Sequence, residues 1–355
     1  MSKVRIAVVG CGYWGQNLIR NFADLDNAEL AAVCDFNLNA LARVKRRYPA
    51  VALKNNYVDV LADSRIHAVV IATPVSTHYQ FAKQALLAGK HVLVEKPLAT
   101  STRHVQDLID LSEKHNRTLM VDHTFIYTGA VRQMKALIDA GEVGDLLYFD
   151  SIRISLGLVQ SDINVIWDLA PHDFSIMDYL CSDEPVSVSA TAVKHLGCPF
   201  ENMAYVTARF DGNLIAHFHL NWLAPVKVRK TLVGGTKKMI AYDDMETSEK
   251  VRVYDKGITM THDIERREKL LAGYRNGNML VPQLDNSEAL RLMATEFVES
   301  IRQKRQPLSD GYAGYRVVRL LEAAQKSLEL KGQPVELRNP VLPARSATPL
   351  LEVVA

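Results

Sequence analysis

One short pattern near the start of the chain leaves few folds open. VRIAVV, counted from Val4, is an apolar run broken only by Arg5, as in a parallel strand covered on both faces, and GCGYWG follows it directly. Gly10, Gly12 and Gly15 match G-x-G-x-x-G, and the amphipathic segment QNLIRNFADL behind them supplies a helix whose free N–H groups can receive a pyrophosphate. Alone, such a match is weak. A second strand, ELAAVCD, ends at Asp35, twenty residues beyond Gly15, where a carboxylate can accept from ribose hydroxyls and would repel a 2′-phosphate. Because no arginine occurs in the next seven residues, the expected cofactor is NAD rather than NADP.

Alternation of strand and helix continues with HAVVIAT at 67–73, a helix around 79–88, HVLVEK at 91–96, a helix at 102–114 and TLMVDH at 118–123. This is the pattern of a doubly wound parallel sheet, an α/β Rossmann domain. Ligands of such sheets lie beyond the carboxyl ends of the strands. The polar clusters there place Thr73, Pro74 and His78, then Glu95, Lys96 and Pro97, at the cofactor crevice beside Tyr13 and Trp14 of the glycine turn. A lysine is by default a surface ammonium, but Lys96 follows a buried strand and precedes a rigid proline, which favours a functional one.

From about residue 146 the rhythm changes. LLYFDSIRISLG (146–157) is followed by strands at about 186–195, 203–210, 213–222, 226–233, 237–242 and 250–254 with few helices between them. Such strands pair mostly antiparallel, so the second domain is expected to be α/β with a large open sheet. Helices are expected at 128–141, 287–303 and 311–331. The division reads as 1–123 for the NAD-binding domain, 124–332 for a substrate-binding and oligomerisation domain whose last helix can pack back on the first, and 333–355 for a surface tail. An uncovered sheet face of that size predicts a homo-oligomer, dimer or tetramer.

In WDLAPHDFSIMDYL, residues 167–180, Asp168 and His172 stand four positions apart around Pro171. A proline fits the first turn of a helix, so the pair is placed at a helix mouth, where a solvated or capping pair is the bland alternative. Composition excludes several functions. Lys plus Arg of 42 against Asp plus Glu of 40 leaves a net charge of +2, giving no field for nucleic acid or an anionic membrane. No apolar run reaches the ~18 residues of a membrane span, and the N-terminus shows no signal peptide, so the chain is expected to be cytoplasmic. Cys11, Cys34, Cys181 and Cys198 lack metal-ligand spacing, and no metal site is expected.

Taken in order, GCGYWG, Asp35, ATPVSTH at 72–78, EKP at 95–97 and the Asp168/His172 spacing resemble the family of glucose-fructose oxidoreductase and inositol dehydrogenase, from about residue 4 to about 330. The resemblance implies that Lys96, Asp168 and His172 form the active site. Many members carry a glycine-rich run where this chain has Asn164, Val165, Ile166 and Trp167, so its pocket wall is bulkier. The longer string LGLVQSDINVIWDLAPHDFSIMDYL looks like the branch that oxidises the C3 hydroxyl of UDP-N-acetylglucosamine.

Oxidation of a secondary alcohol needs a base at the hydroxyl and a nicotinamide at the carbon. His172 titrates in the useful range, Asp168 would orient it, and the Lys96 ammonium would stabilise the developing alkoxide, although Lys96 as the base is a second allocation. For a nucleotide sugar, Arg153, Lys227 and Arg229 are the phosphate candidates, and Asn164, Trp167 and Tyr127 the sugar contacts. Tyr79 and Lys83 fit Y-x-x-x-K but fall on a helix expected to back the sheet. His217 and His219 share a strand face without a third metal ligand. A dehydrogenase of inositol or a free sugar and a non-catalytic NAD-binding sensor are the rival readings, and the sensor has no use for Lys96 and His172.

Overall fold

A computed structural model describes residues 3–157, 162–261 and 271–337. Contacts divide the chain into two compact units, one holding Met1–Tyr127 and Ser287–Glu322, the other Thr128–Asn286 and Ala323–Arg338. The first boundary thus falls a few residues after the expected 123, and the first of the two C-terminal helices, with most of the second, belongs to the first unit.

The first unit is built on β1 (Val4–Val9), β2 (Ala28–Cys34), β3 (Ala52–Lys54), β4 (Ala68–Ile71), β5 (His91–Glu95) and β6 (Leu119–Asp122), with α1 (Tyr13–Ala23), α2 (Leu38–Arg47), α3 (Tyr57–Ala62), α4 (Val75–Leu87) and α5 (Thr102–Lys114) between them. All pairs are parallel, in the order β3-β2-β1-β4-β5-β6. The strand order reverses between β1 and β4, so the turns that leave those two strands open the crevice where such sheets bind ligands. α4 begins four residues earlier than its apolar spacing predicts, because Pro74 occupies the N-cap position and the polar run after it is helical. On that helix Tyr79 and Lys83 both bond Asp107 of α5, at 2.7 and 2.9 Å, so the Y-x-x-x-K pair ties two helices.

In the second unit, α6 (Gly129–Asp139), β7 (Leu146–Leu156) and α7 (Val165–Leu180) precede β8 (Pro185–Val193), β9 (Met203–Phe210), β10 (Ile215–Asn221), β11 (Leu223–Gly235), β12 (Met239–Asp243), β13 (Val251–Tyr254), the hairpin β14 (Gly257–Thr261) and β15 (Leu271–Arg275), and β16 (Met279–Leu280). Then come α8 (Ala289–Gln303), α9 (Gly311–Glu329) and β17 (Val335–Glu336). The large sheet has nine strands in the order β16-β13-β12-β11-β7-β10-β9-β8-β17 and is antiparallel except where β10 runs beside β7. α7 lies on one face, where Phe174 meets Phe218 edge to face at 4.8 Å. The opposite face alternates polar and apolar residues, among them Ile152, Tyr205, His217 and His219, with Tyr205 stacked on both histidines.

The tail is not wholly a surface strap: Val335 and Glu336 pair with β8, and the Leu337 amide reaches the Val186 carbonyl at 2.7 Å. The rest of the tail, 338–355, lies outside the described residues, as do 158–161 of the string that looks like the nucleotide-sugar branch. Among the described residues no helix is long and apolar enough to cross a membrane.

Candidate active site

At the end of β1 the backbone of Gly10 turns with φ +90°, and a Cβ there would stand 2.4 Å from the Ala72 carbonyl oxygen. A Cβ on Gly15 would stand 2.0 Å from the Gly10 carbonyl oxygen, so α1 comes up against the turn only because that position is glycine. Gly12 is the N-cap of α1 and has open space around it. No side chain caps α1, and its first turn holds no acid. The free N–H groups and the positive end of the helix dipole therefore face an open cradle, which fits a pyrophosphate. Tyr13 and Trp14 flank it, 81% and 48% exposed.

Asp35 follows β2 and is fixed on both oxygens. Oδ2 accepts from the Cys11 amide at 2.8 Å and Oδ1 from the Asn37 amide at 2.8 Å. The glycine turn and the carboxylate are thereby held in one arrangement, with lone pairs left for a ribose. Burial, and then Asp35, push the Cys11 thiol up to about 12, so it remains a protonated donor to that carboxylate.

His78 is fully buried. Its ring nitrogens lie 2.8 Å from the Pro97 carbonyl and 2.9 Å from the Thr73 carbonyl, so it joins the turns after β4 and β5 to each other. Thr73 shares a hydroxyl contact of 2.6 Å with Thr77. His78 was expected to face the cofactor, but in the structure both its ring nitrogens meet backbone carbonyls of the two turns. Lys96 is half-buried at the end of β5, preceded by the buried Glu95 and followed by the buried Pro97.

In the second unit Asn164 sets where α7 begins. Its side chain accepts from the amides of Ile166 and Trp167 at 3.1 Å each and donates to Gln325 at 2.9 Å, and the residue is buried. It is thus an N-cap with its amide committed to the protein, which corrects its expected role as a sugar contact. The cap also starts the helix earlier than predicted. Pro171 falls in the second turn, not the first, and removes the N–H that would have bonded the Trp167 carbonyl.

Asp168 and His172 are consequently one turn apart on the same side of α7, both half-buried on a helix whose other residues are mostly buried. Asp168 Oδ2 accepts from the buried Trp222 indole at 3.0 Å. Trp222 was not anticipated from sequence, because nothing links a residue 54 positions away to the acid. Trp167 is half-buried in the turn before them.

Two other candidates prove structural. Arg153 on β7 is buried and forms a bidentate pair with Asp173 of α7 at 2.9 and 2.8 Å, so its charge is neutralised within the core and is not presented to a diphosphate. Tyr127 is buried in the first unit with its hydroxyl 2.9 Å from Ser309. Of the other two cations, Arg229 pairs with Asp244 at 3.2 Å and is the register partner of Arg153. Lys227 is exposed in an irregular stretch where the pairing of β11 with β7 shifts register.

A doubly wound sheet with a glycine cradle, joined to a sheet domain that presents an acid and imidazole on a helix, defines an NAD-binding oxidoreductase. Residues 4–123 match the model of an oxidoreductase family with an NAD-binding Rossmann fold, and 131–241 match the C-terminal domain model of the same family. The chain belongs to the GFO/IDH/MocA family of oxidoreductases, and its cofactor is NAD.

Among curated relatives, glycosyl hydrolase family 109 protein 2 of Shewanella sp. (strain ANA-3) is 32% identical over 163 residues, 43% of this chain and 36% of that protein. The chain thus matches little more than a third of that relative's length. UDP-N-acetylglucosamine 3-dehydrogenase of Acidithiobacillus ferrooxidans is 26% identical over 90% of this chain and 95% of its own. A solved structure of the enzyme of that name from the same species superposes with a TM-score of 0.79 at 25% identity, covering 93% and 99% of the two chains. An oxidoreductase from Agrobacterium radiobacter solved with NAD+, L-tartaric acid and magnesium shares the fold, with a TM-score of 0.80 at 17% identity over 94% and 98%.

Proposed function

We propose that this protein is an NAD-dependent sugar dehydrogenase that oxidises a secondary hydroxyl of a nucleotide sugar, with the C3 hydroxyl of UDP-N-acetylglucosamine as the preferred substrate. The observation that carries this reading is the pair on α7: an imidazole and a carboxylate one helical turn apart, half exposed, with the acid anchored by Trp222. NAD, when bound, supplies the hydride acceptor.

The rest is done by side chains of the protein. Backbone N–H groups of Gly12, Tyr13 and Trp14 hold the pyrophosphate, and Asp35 holds the adenine ribose. Pro74 and Pro97 shape the crevice wall with Thr73, while Glu95 steadies the Lys96 turn. His172 takes the hydroxyl proton as the carbinol carbon loses hydride, and Asp168 stabilises the imidazolium that forms. The ammonium of Lys96 stabilises the alkoxide that develops between those two events. Lys227 and Arg229 remain as cations for the diphosphate, and Trp167 packs against the sugar. The likeness of nearly the whole chain to a UDP-N-acetylglucosamine 3-dehydrogenase supports the substrate.

NADH formation should be followed with UDP-N-acetylglucosamine, UDP-glucose, myo-inositol and free hexoses. The reading expects the highest kcat/KM for UDP-N-acetylglucosamine. Turnover confined to inositol or free hexoses would keep the dehydrogenase and refute the nucleotide sugar, and no turnover with any of them would favour a sensor. The mixed outer face of the large sheet is the proposed homo-oligomer interface. Light scattering on the eluting protein should give a dimer or tetramer, and a monomer would contradict it.

A further inference from the structure

We propose that Glu95 and Asp122 are positioning residues for Lys96, two buried carboxyls sharing one proton, whose single remaining negative charge keeps the Lys96 ammonium charged and in place. The catalytic consequence rests on the role given to Lys96 above, but the pair itself is argued from geometry within the first unit.

Glu95 ends β5 and Asp122 ends β6, and the two are register partners in a parallel ladder, so their side chains emerge on one face as neighbours. They are 8% and 3% exposed. Glu95 Oε2 accepts the Lys96 amide at 3.2 Å, and the Thr124 hydroxyl donates to Asp122 Oδ1. Glu95 Oε1 is buried and meets no N–H or O–H among the described residues.

Two adjacent buried carboxylates cannot both ionise, because each adds repulsion to the other's desolvation. A proton on Glu95 resolves both difficulties: it satisfies the orphan oxygen and donates to Asp122. Burial first, then Asp122, holds Glu95 well above the ordinary carboxylate range. Burial raises Asp122 as well, against the opposing bonds from Thr124 and Glu95; the charge is placed on Asp122 because its Oδ1 already accepts from the Thr124 hydroxyl. Both carboxyls feel the Lys96 ammonium.

Other groups flank the pair. β4 ends at Ile71, with Ala72 following it. The turn after β6 carries the buried His123 and Tyr127, the latter bonded to Ser309. α9 packs through Gly314 on Leu98 and Val121 and carries two buried cations, Arg316 and Arg319.

Amide substitutions separate charge from shape. In Glu95→Gln the new amide donates to Asp122, and in Asp122→Asn it donates to a Glu95 that is then free to ionise, so each single variant retains one negative charge. Only the double variant is neutral. Lys96 should be labelled with acetic anhydride across a pH series on the full chain and quantified by mass spectrometry. The midpoint of labelling should fall by about one pH unit in the double variant and by less than about a third of that in either single one. An unchanged midpoint in a folded double variant would overturn the proposal.

Infrared spectra provide a second test that does not depend on the double variant folding. Wild type at neutral pH should show a protonated-carboxyl C=O stretch that Glu95→Gln lacks, and its absence from wild type would also overturn the pair. If turnover is found, the alkaline limb of kcat/KM should move with the labelling midpoint. Lack of turnover would fail the assigned function while leaving both tests standing.

Discussion

His172 and Asp168 stay half accessible on α7, as Trp167 and Leu169 beside them do, and this accessibility leads to the first prediction. His172→Ala should lower kcat by about 10²- to 10⁴-fold, the usual contribution of a general base, and leave the Kd for NAD unchanged by fluorescence titration. Asp173, five residues after Asp168, should behave in the opposite way. Asp173→Ala strands the buried Arg153 charge and should cost about 3–5 kcal/mol in denaturant unfolding. The contrast shows what was legible. A carboxylate and an imidazole at i and i+4 can be read from sequence. That Asp173 holds Arg153 cannot, because the pairing joins a strand to a helix and depends on which faces meet. Arg153 looked like a phosphate ligand for the same reason.

The strands of the first sheet announce themselves because both faces are covered and most of their positions are apolar, and the glycine turn because its close contacts admit no Cβ. Gly15→Ala should force α1 away from the Gly10 carbonyl and weaken NAD binding at least about tenfold by calorimetry, with less effect on the second unit's fold. Where polar groups decide an element's boundary, the apolar pattern misplaces it. The Asn164 cap starts α7 early enough to put Pro171 in its second turn, and α4 likewise starts earlier than its apolar spacing predicts, directly after Pro74. The bulge in β11 and the two-residue strand β17 carry no periodicity at all, since one is an interruption of it and the other is too short to show it. Asp122 was visible as the end of TLMVDH, but its partnership with Glu95 follows only from the register of β5 against β6.

At the scale of the molecule, Lys96 belongs to one unit and His172 to the other, so the claim that they act on a single hydroxyl is about the working enzyme rather than either fold. A double-mutant cycle addresses it directly. Turnover of the sugar substrate should be measured for Lys96→Met, His172→Ala and the double variant, with NAD binding as the control. Groups that act together on one oxygen are strongly non-additive, so the double variant should fall to within about threefold of the slower single variant. If the two losses instead multiply, as for independent sites, the shared hydroxyl and the chemistry built on it are contradicted.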